Sequence, residues 1–97
     1  MLNSHAIIST NEATRLIKRL CAHWAHKFSV EAEPNLGRID FGDSQCQLRG
    51  DDASIHIELR SPDETTANHM QEVVFDHLQR MGKSKLPQPA WSTSHVE

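Results

Sequence analysis

The clearest structural signal in the chain is the segment Ser54-Ile55-His56-Ile57-Glu58-Leu59-Arg60. Apolar side chains occupy every second position in it, and polar or charged side chains occupy the positions between. Because successive side chains of a β-strand point to opposite faces, this period of two predicts a strand with one buried face and one wet face. Such alternation is typical of an antiparallel sheet that is covered on one side only.

The same period recurs upstream, between short clusters of turn-forming residues. Apolar and polar residues alternate around residues 30–33, 38–41 and 45–49, with turns predicted at 34–37, 42–44 and 50–52. A shorter apolar segment, residues 5–9, predicts a first strand, and residues 89–93 predict a last, edge strand. The sequence therefore predicts a meander of antiparallel strands between two helical segments.

Two segments instead show helical spacing. The first follows Ser9-Thr10-Asn11-Glu12, which fits a capping box with Ser9 as the cap, and its apolar positions run from Ala13 to Phe28. The second begins after Ser61 or Asp63 and ends at Met81, where Gly82 is placed to stop it. Each helix has a single apolar face, so each has to be buried on one side only.

These elements predict an α+β fold, a two-layer sandwich of a mainly antiparallel sheet with both helices on one face, in the order β-α-β-β-β-β-α-β. The chain of 97 residues has the size of one domain. We expect residues 1–97 to form it, with the core at about residues 5–93 and a frayed tail at 94–97.

Composition limits the function. The formal charge is −3 with seven histidines neutral, and acidic residues share the predicted open sheet face with the basic ones. With few aromatic residues as well, we expect no nucleic-acid partner. No apolar run approaches the length of a membrane span, and Met1–His5 lacks the features of a secretion signal, so we expect no membrane partner and a cytoplasmic location. Cys21 and Cys46 are then expected to be reduced.

His77 is the first candidate site residue, because it lies in the apolar stripe of the second helix. At about 100° per residue it shares a side with Met70 and Val74. An imidazole facing the core must either satisfy its nitrogens with protein groups or form part of a site. The sequence leaves both alternatives open, and it predicts His56 and His69 to be solvated.

A metal or ligand site would bring His77 and Cys46 together with Cys21 or His23 between the helices and the sheet. Cys21 and His23 cannot both hold one ion, because residues two apart on a helix point about 200° apart. His23 and His26 could, being three apart, but the spacing of a zinc site is missing. A Cys46 nucleophile with a His77 base would need an orienting group that the sequence does not reveal.

Four segments carry a resemblance to a known family. The quoted segments are Arg19-Leu-Cys-Ala-His-Trp-Ala-His-Lys27, Gly37-Arg-Ile-Asp-Phe41, Cys46-Gln-Leu48 and Val73-Val-Phe-Asp-His-Leu-Gln-Arg80. In them and in its order of elements the chain resembles domain of unknown function 2218, an uncharacterised bacterial family, over nearly its whole length. Met81 departs from the pattern, which has an aromatic residue there.

The resemblance implies a loose connection to iron, because members of that family also occur as appendages of siderophore-interacting flavin reductases. It carries over no catalytic residue. It does place His23, Lys27, Cys46 and His77 in the family's recognisable segments, and we take these four as candidate ligand-binding residues. The expected function is a non-enzymatic accessory or interaction module without a cofactor, acting as a monomer or homodimer on a protein partner. The alternative is a small metal- or ligand-binding protein that uses His77, Cys46 and His23.

Overall fold

A computed structural model describes residues 1–83 and 85–95 of the protein. They form a six-stranded antiparallel sheet covered by two helices, and the predicted fold class and element order are confirmed. The elements are β1 (Leu2–Ser9), α1 (Ala13–Trp24), β2 (Ser29–Glu33), β3 (Leu36–Asp40), β4 (Gln45–Gly50), β5 (Ser54–Ser61), α2 (Glu64–Met81) and β6 (Ser92–His95).

The sheet has the order β2-β3-β4-β5-β1-β6, so that β2 and β6 are its edges. Strand β5 lies inside it, paired with β4 and β1, and its alternating apolar side chains Ile55, Ile57 and Leu59 are fully buried. Their register partners on the neighbouring strands point to the same side. One face of the sheet therefore forms the floor of the core, and the other is open to solvent.

Both helices lie on that floor. Helix α1 packs over β2, β3 and β4, α2 packs over β5 and β1, and the two helices contact each other. Their buried residues belong to one apolar cluster with the sheet, including Leu16, Leu20, Val74 and Leu78. Two glycines of the sheet allow α1 to come close, since a Cβ at Gly37 would lie 2.5 Å from Cys21 Sγ and one at Gly50 would lie 2.9 Å from Ala13 Cβ.

The start of α1 differs from the prediction. Ser9 is not a helix cap, because it still belongs to β1 and pairs there with Ser54. The Oγ1 atom of Thr10 instead accepts a hydrogen bond from the amide of Glu12, and the Glu12 carboxylate forms an ion pair with Arg15. The pairing of β1 keeps Ser9 extended, and the capping-box prediction is wrong for this reason.

Of three other element ends, the start of α2 agrees with one of the two predicted caps, and the end of α1 and the position of the last strand differ from the prediction. Phe28 lies beyond α1, although it still packs against the core. Helix α2 is capped by Asp63, whose Oδ1 accepts from the Thr66 amide at 2.8 Å. The last strand begins three residues later than expected, at Ser92, and ends two residues later, with Ser94 and His95 paired to Asn3 and Leu2 of β1. The predicted frayed tail is therefore corrected at those two residues, while residues 96 and 97 lie outside the described part.

Candidate functional site

Two histidines meet where α1 and α2 cross. The ring of His77 on α2 lies 5.3 Å from that of His23 on α1, measured between ring centroids, and 5.0 Å from the ring of Trp24. His77 is half-buried and His23 is exposed, while Trp24 is only 4% exposed. The pair therefore lies at the surface end of the helix–helix contact, with an indole beneath it.

One nitrogen of His77 is engaged within its own helix. The backbone carbonyl of Val73 lies 2.7 Å from Nδ1, so Nδ1 carries the proton and donates. In the neutral ring, Nε2 then keeps its lone pair and can accept a hydrogen bond or bind a metal. A donor bond of this kind to a carbonyl is the usual way of orienting a metal-binding imidazole. The same bond also satisfies a histidine that has only a packing role.

An aromatic cluster holds Trp24 in place. The Trp24 and Phe41 rings make an edge-to-face contact with their centroids 4.9 Å apart, and the Phe41 and Phe28 rings make another at 4.8 Å. Edge-to-face contacts at these separations are the favoured geometry of aromatic pairs. The cluster joins the end of α1 to the turn after β3, so the helix end that carries His23 is packed against the core.

Among the described residues the structure records no contact between Cys46 and either histidine. Cys46 is buried in β4 between Ile39 and Leu59, and burial together with the nearby Cys21 raises the pKa of its thiol far above the ordinary value. Burial also raises the pKa of Cys21. Within the described residues no three His, Cys, Asp or Glu side chains are grouped so that they could hold a metal. Both cysteines are free thiols of the core.

Lys27 lies in the helical turn that follows α1. Its amide donates to the carbonyl of Trp24 at 3.0 Å, and its side chain is exposed. Lys27 thus neighbours the His23–His77 pair along the chain, on the path from α1 into β2. The structure records no contact between its ammonium and either ring among the residues it describes.

Comparisons with known proteins agree with this description. The model of a family described as an uncharacterised protein conserved in bacteria, DUF2218, matches residues 5–92. The chain belongs to the DUF2218 family. The NMR structure of PA4090 from Pseudomonas aeruginosa is similar to this DUF2218 chain with a TM-score of 0.82 and 48% sequence identity, over 95% of this chain and 96% of that one. No curated protein matches it.

The DUF2218 chain holds a further polar cluster that the sequence did not predict. The Asp51 carboxylate accepts hydrogen bonds from the Ala53 and Ser54 amides and from Ser54 Oγ, and its Oδ2 lies 3.5 Å from Nε2 of His56. These bonds lower the pKa of Asp51, those from Ala53 and Ser54 most. His56 is therefore paired and not simply solvated. Ser54 and Asp51 approach the same nitrogen, which is the geometry of a turn and not of a catalytic triad.

An apolar groove opens on the DUF2218 surface between α1 and the edge strand β2. Its volume is about 620 Å³, and it is lined mostly by small or apolar side chains such as Ala22, Ala25, Val30 and Ala32, together with the charged side chains of Lys18 and Glu33. Ala22, Ala25 and Ala32 are exposed and Val30 is half-buried. No described helix is long and apolar enough to cross a membrane. The groove is thus an apolar recess beside a sheet edge, a feature typical of protein contacts.

Proposed function

We propose that this DUF2218 domain is a non-enzymatic accessory module of the bacterial cytoplasm that works by binding protein, in the context of iron or siderophore metabolism. The observation that carries the proposal is the exposed groove between α1 and the edge strand β2. The link to iron rests on the family resemblance alone.

The state of the candidate reactive groups supports the non-enzymatic part. A nucleophilic cysteine needs a thiolate and access, whereas Cys46 is 2% exposed and its pKa is raised. His77 gives one nitrogen to the carbonyl of Val73. A buried thiol that remains protonated at neutral pH is a poor basis for covalent catalysis.

A complementation experiment tests this proposal. The gene is deleted from a bacterium that carries it, and growth under iron limitation is compared after return of wild type, of the variant Cys46→Ala/His77→Phe, or of the groove variant Ala25→Arg. We expect the first two to restore growth and the groove variant to fail. Normal growth of the deletion strain under iron limitation would remove the iron link, and failure of the Cys46→Ala/His77→Phe protein with normal folding would point to chemistry at those groups.

The contact between His23 and His77 favours a second candidate function, binding of a divalent transition metal or a small ligand. Two imidazoles with centroids 5.3 Å apart can share one ion through Nε2 of His77 and one nitrogen of His23. Imidazole suits zinc, copper and nickel, and a small ligand or water would complete the coordination. Cys46 has no part in this version, which revises the set that the sequence suggested.

Calorimetric titration of the purified protein with Cu²⁺ or Zn²⁺ tests the second candidate. We expect one ion per chain, lost in both His23→Ala and His77→Ala and retained in His26→Ala, which removes an exposed histidine of the same segment. Equal loss in all three variants, or no loss in any, would show that the histidines bind the ion independently at the surface.

A further inference from the structure

We infer that two copies of this chain join through their β2 edges into one continuous sheet, with the α1/β2 groove of each copy closed by the other. The inference rests on the proposed function, which it deepens by naming the surface and the partner. It starts from the backbone of β2, whose position at the edge of the sheet leaves half of its amides and carbonyls without a strand neighbour.

The hydrogen-bonding groups available at this edge follow from the register. The amide of Phe41 donates to Ser44, so β3 bonds to β4 through its odd-numbered residues and to β2 through its even-numbered ones. The β2 residues opposite the even-numbered residues of β3 are Ser29, Glu31 and Glu33. The amides and carbonyls of Val30 and Ala32 therefore point outward, where a second strand can bond to them.

The charged side chains beside β2 favour a second copy of the chain as the partner, and they determine the register of the pairing. A two-fold axis at Glu31 would place the two Glu31 carboxylates directly opposite each other, which is destabilising. An axis at Ala32 would bring Pro34, which has no amide, opposite Val30, and it would place Glu31 of each copy opposite Glu33 of the other. An axis at Val30 lets the two Val30 residues exchange both hydrogen bonds and opposes no two carboxylates, although the Phe28 amide opposite Ala32 already donates to Trp24. This axis brings Glu33, at the end of β2 in each copy, toward the helical turn that carries Lys27 in the other. Both of these side chains are exposed.

The side chains above the edge fit the same arrangement. In this pairing the two α1 helices lie antiparallel on one side of the joined sheet and across the axis from each other. The surface of α1 that borders the groove carries Ala22 and Ala25. Small residues allow the helices to approach closely, and the apolar floor formed by Val30 and Ala32 would be removed from water in both copies. A groove that is open in one chain is filled in two.

Sedimentation of the full chain, from low to high micromolar concentration, tests the inference. We expect a reversible dimer that Ala25→Arg abolishes, since an arginine there blocks the approach of the helices. Asn68→Arg adds the same charge at an exposed position of α2 and leaves the dimer intact. The buried Trp24 reports by its fluorescence that each variant is folded. A monomer at every concentration overturns the inference, as does a dimer that Ala25→Arg leaves unchanged.

A charge exchange tests the register. Lys27→Glu and Glu33→Lys should each weaken the dimer by about tenfold, because each replaces two exposed ion pairs per dimer with repulsions. The double variant should recover the wild-type affinity. Hydrogen exchange should slow with concentration at the amides of Val30 and Ala32 and not at Glu31, which already bonds to β3. Slowing at Glu31, or no recovery in the double variant, overturns this register.

These results separate the inference from the proposed function. If the chain is monomeric and Ala25→Arg still fails to restore growth, the groove binds a different protein and only the inference is overturned. If the dimer forms as described and Ala25→Arg restores growth fully, the dimer stands and the proposed function is contradicted.

Discussion

Replacing Gly37 by alanine should destabilise the protein through one identifiable contact. A Cβ at this position would lie 2.5 Å from Sγ of Cys21 and 3.3 Å from Cγ2 of Ile17. Both distances are shorter than the separation of about 3.5 Å at which ordinary van der Waals contact begins. Gly37, Cys21 and Ile17 are all buried, so helix α1 has to lift by about 1 Å or the thiol has to move. Overpacking of this kind costs about 1–3 kcal/mol of unfolding free energy.

A double-mutant cycle measures that contact. Unfolding in urea, followed by the fluorescence of Trp24 and Trp91, should give a loss of about 2 kcal/mol for Gly37→Ala alone. In a Cys21→Ala background the same substitution should cost little, because the sulfur is gone and only the milder contact with Ile17 remains. The coupling between the two sites should thus amount to about 1–2 kcal/mol.

Gly50→Ala provides the matched control. A Cβ there would meet Ala13 and Ile17 at 2.9 and 3.0 Å, and Cys21 is not among its neighbours. Its cost should therefore be the same with and without the Cys21→Ala substitution. If Gly37→Ala costs equally in both backgrounds, or if Gly50→Ala shows the larger coupling, the close approach of α1 to β3 does not explain why glycine stands at Gly37.

Three further predictions concern caps, turns and thiols. Hydrogen bonds from Thr66 lower the pKa of Asp63 below its ordinary value of 3.8. The stabilising effect of the ionised Asp63 carboxylate is therefore present above that pH and is lost as the pH falls through the lowered pKa. The loss of stability in acid, measured by urea titrations, should be smaller in Asp63→Asn. Gly42 has φ +97°, a conformation that alanine rarely adopts. Gly42→Ala should therefore lower the free energy of unfolding in urea by about 1 kcal/mol, although the added Cβ would have no atom within 4 Å. Cys21 and Cys46 should react with a thiol reagent only after unfolding, and rapid reaction of native Cys46 would contradict its burial.

The element order could be predicted from sequence because it depends on periodicity. A strand such as β5 shows its buried face in every second residue, and a one-residue slip would expose all of those side chains. The single apolar face of each helix likewise has to lie on the sheet. Both signals are local in the chain and are strong over many residues, so the layers and the order of strands follow from them.

The start of α1 and the role of Gly37 could not be predicted in the same way. Ser9-Thr10-Asn11-Glu12 satisfies a local capping pattern, but Ser9 is held in β1 by Ser54, a residue far along the chain. Gly37 was assigned to a turn, yet it lies in β3 beneath Cys21 of α1. In both cases a partner from another element determines the conformation, and a local pattern contains no information about that partner.

The candidate site shows the same distinction at the level of chemistry. Helical periodicity placed His77 on the inner side of α2, but it could not show that the ring reaches the edge of the layer, where it meets His23 and Trp24 of α1. Strand periodicity placed Cys46 inward as well, and the two inward positions suggested one site. Two side chains that both point toward the core, one from a helix and one from a strand, come together only if the helix crosses above the strand residue. Helix α2 packs over β5 and β1, whereas Cys46 lies on β4, so the assignment of inward faces alone overestimates which side chains converge.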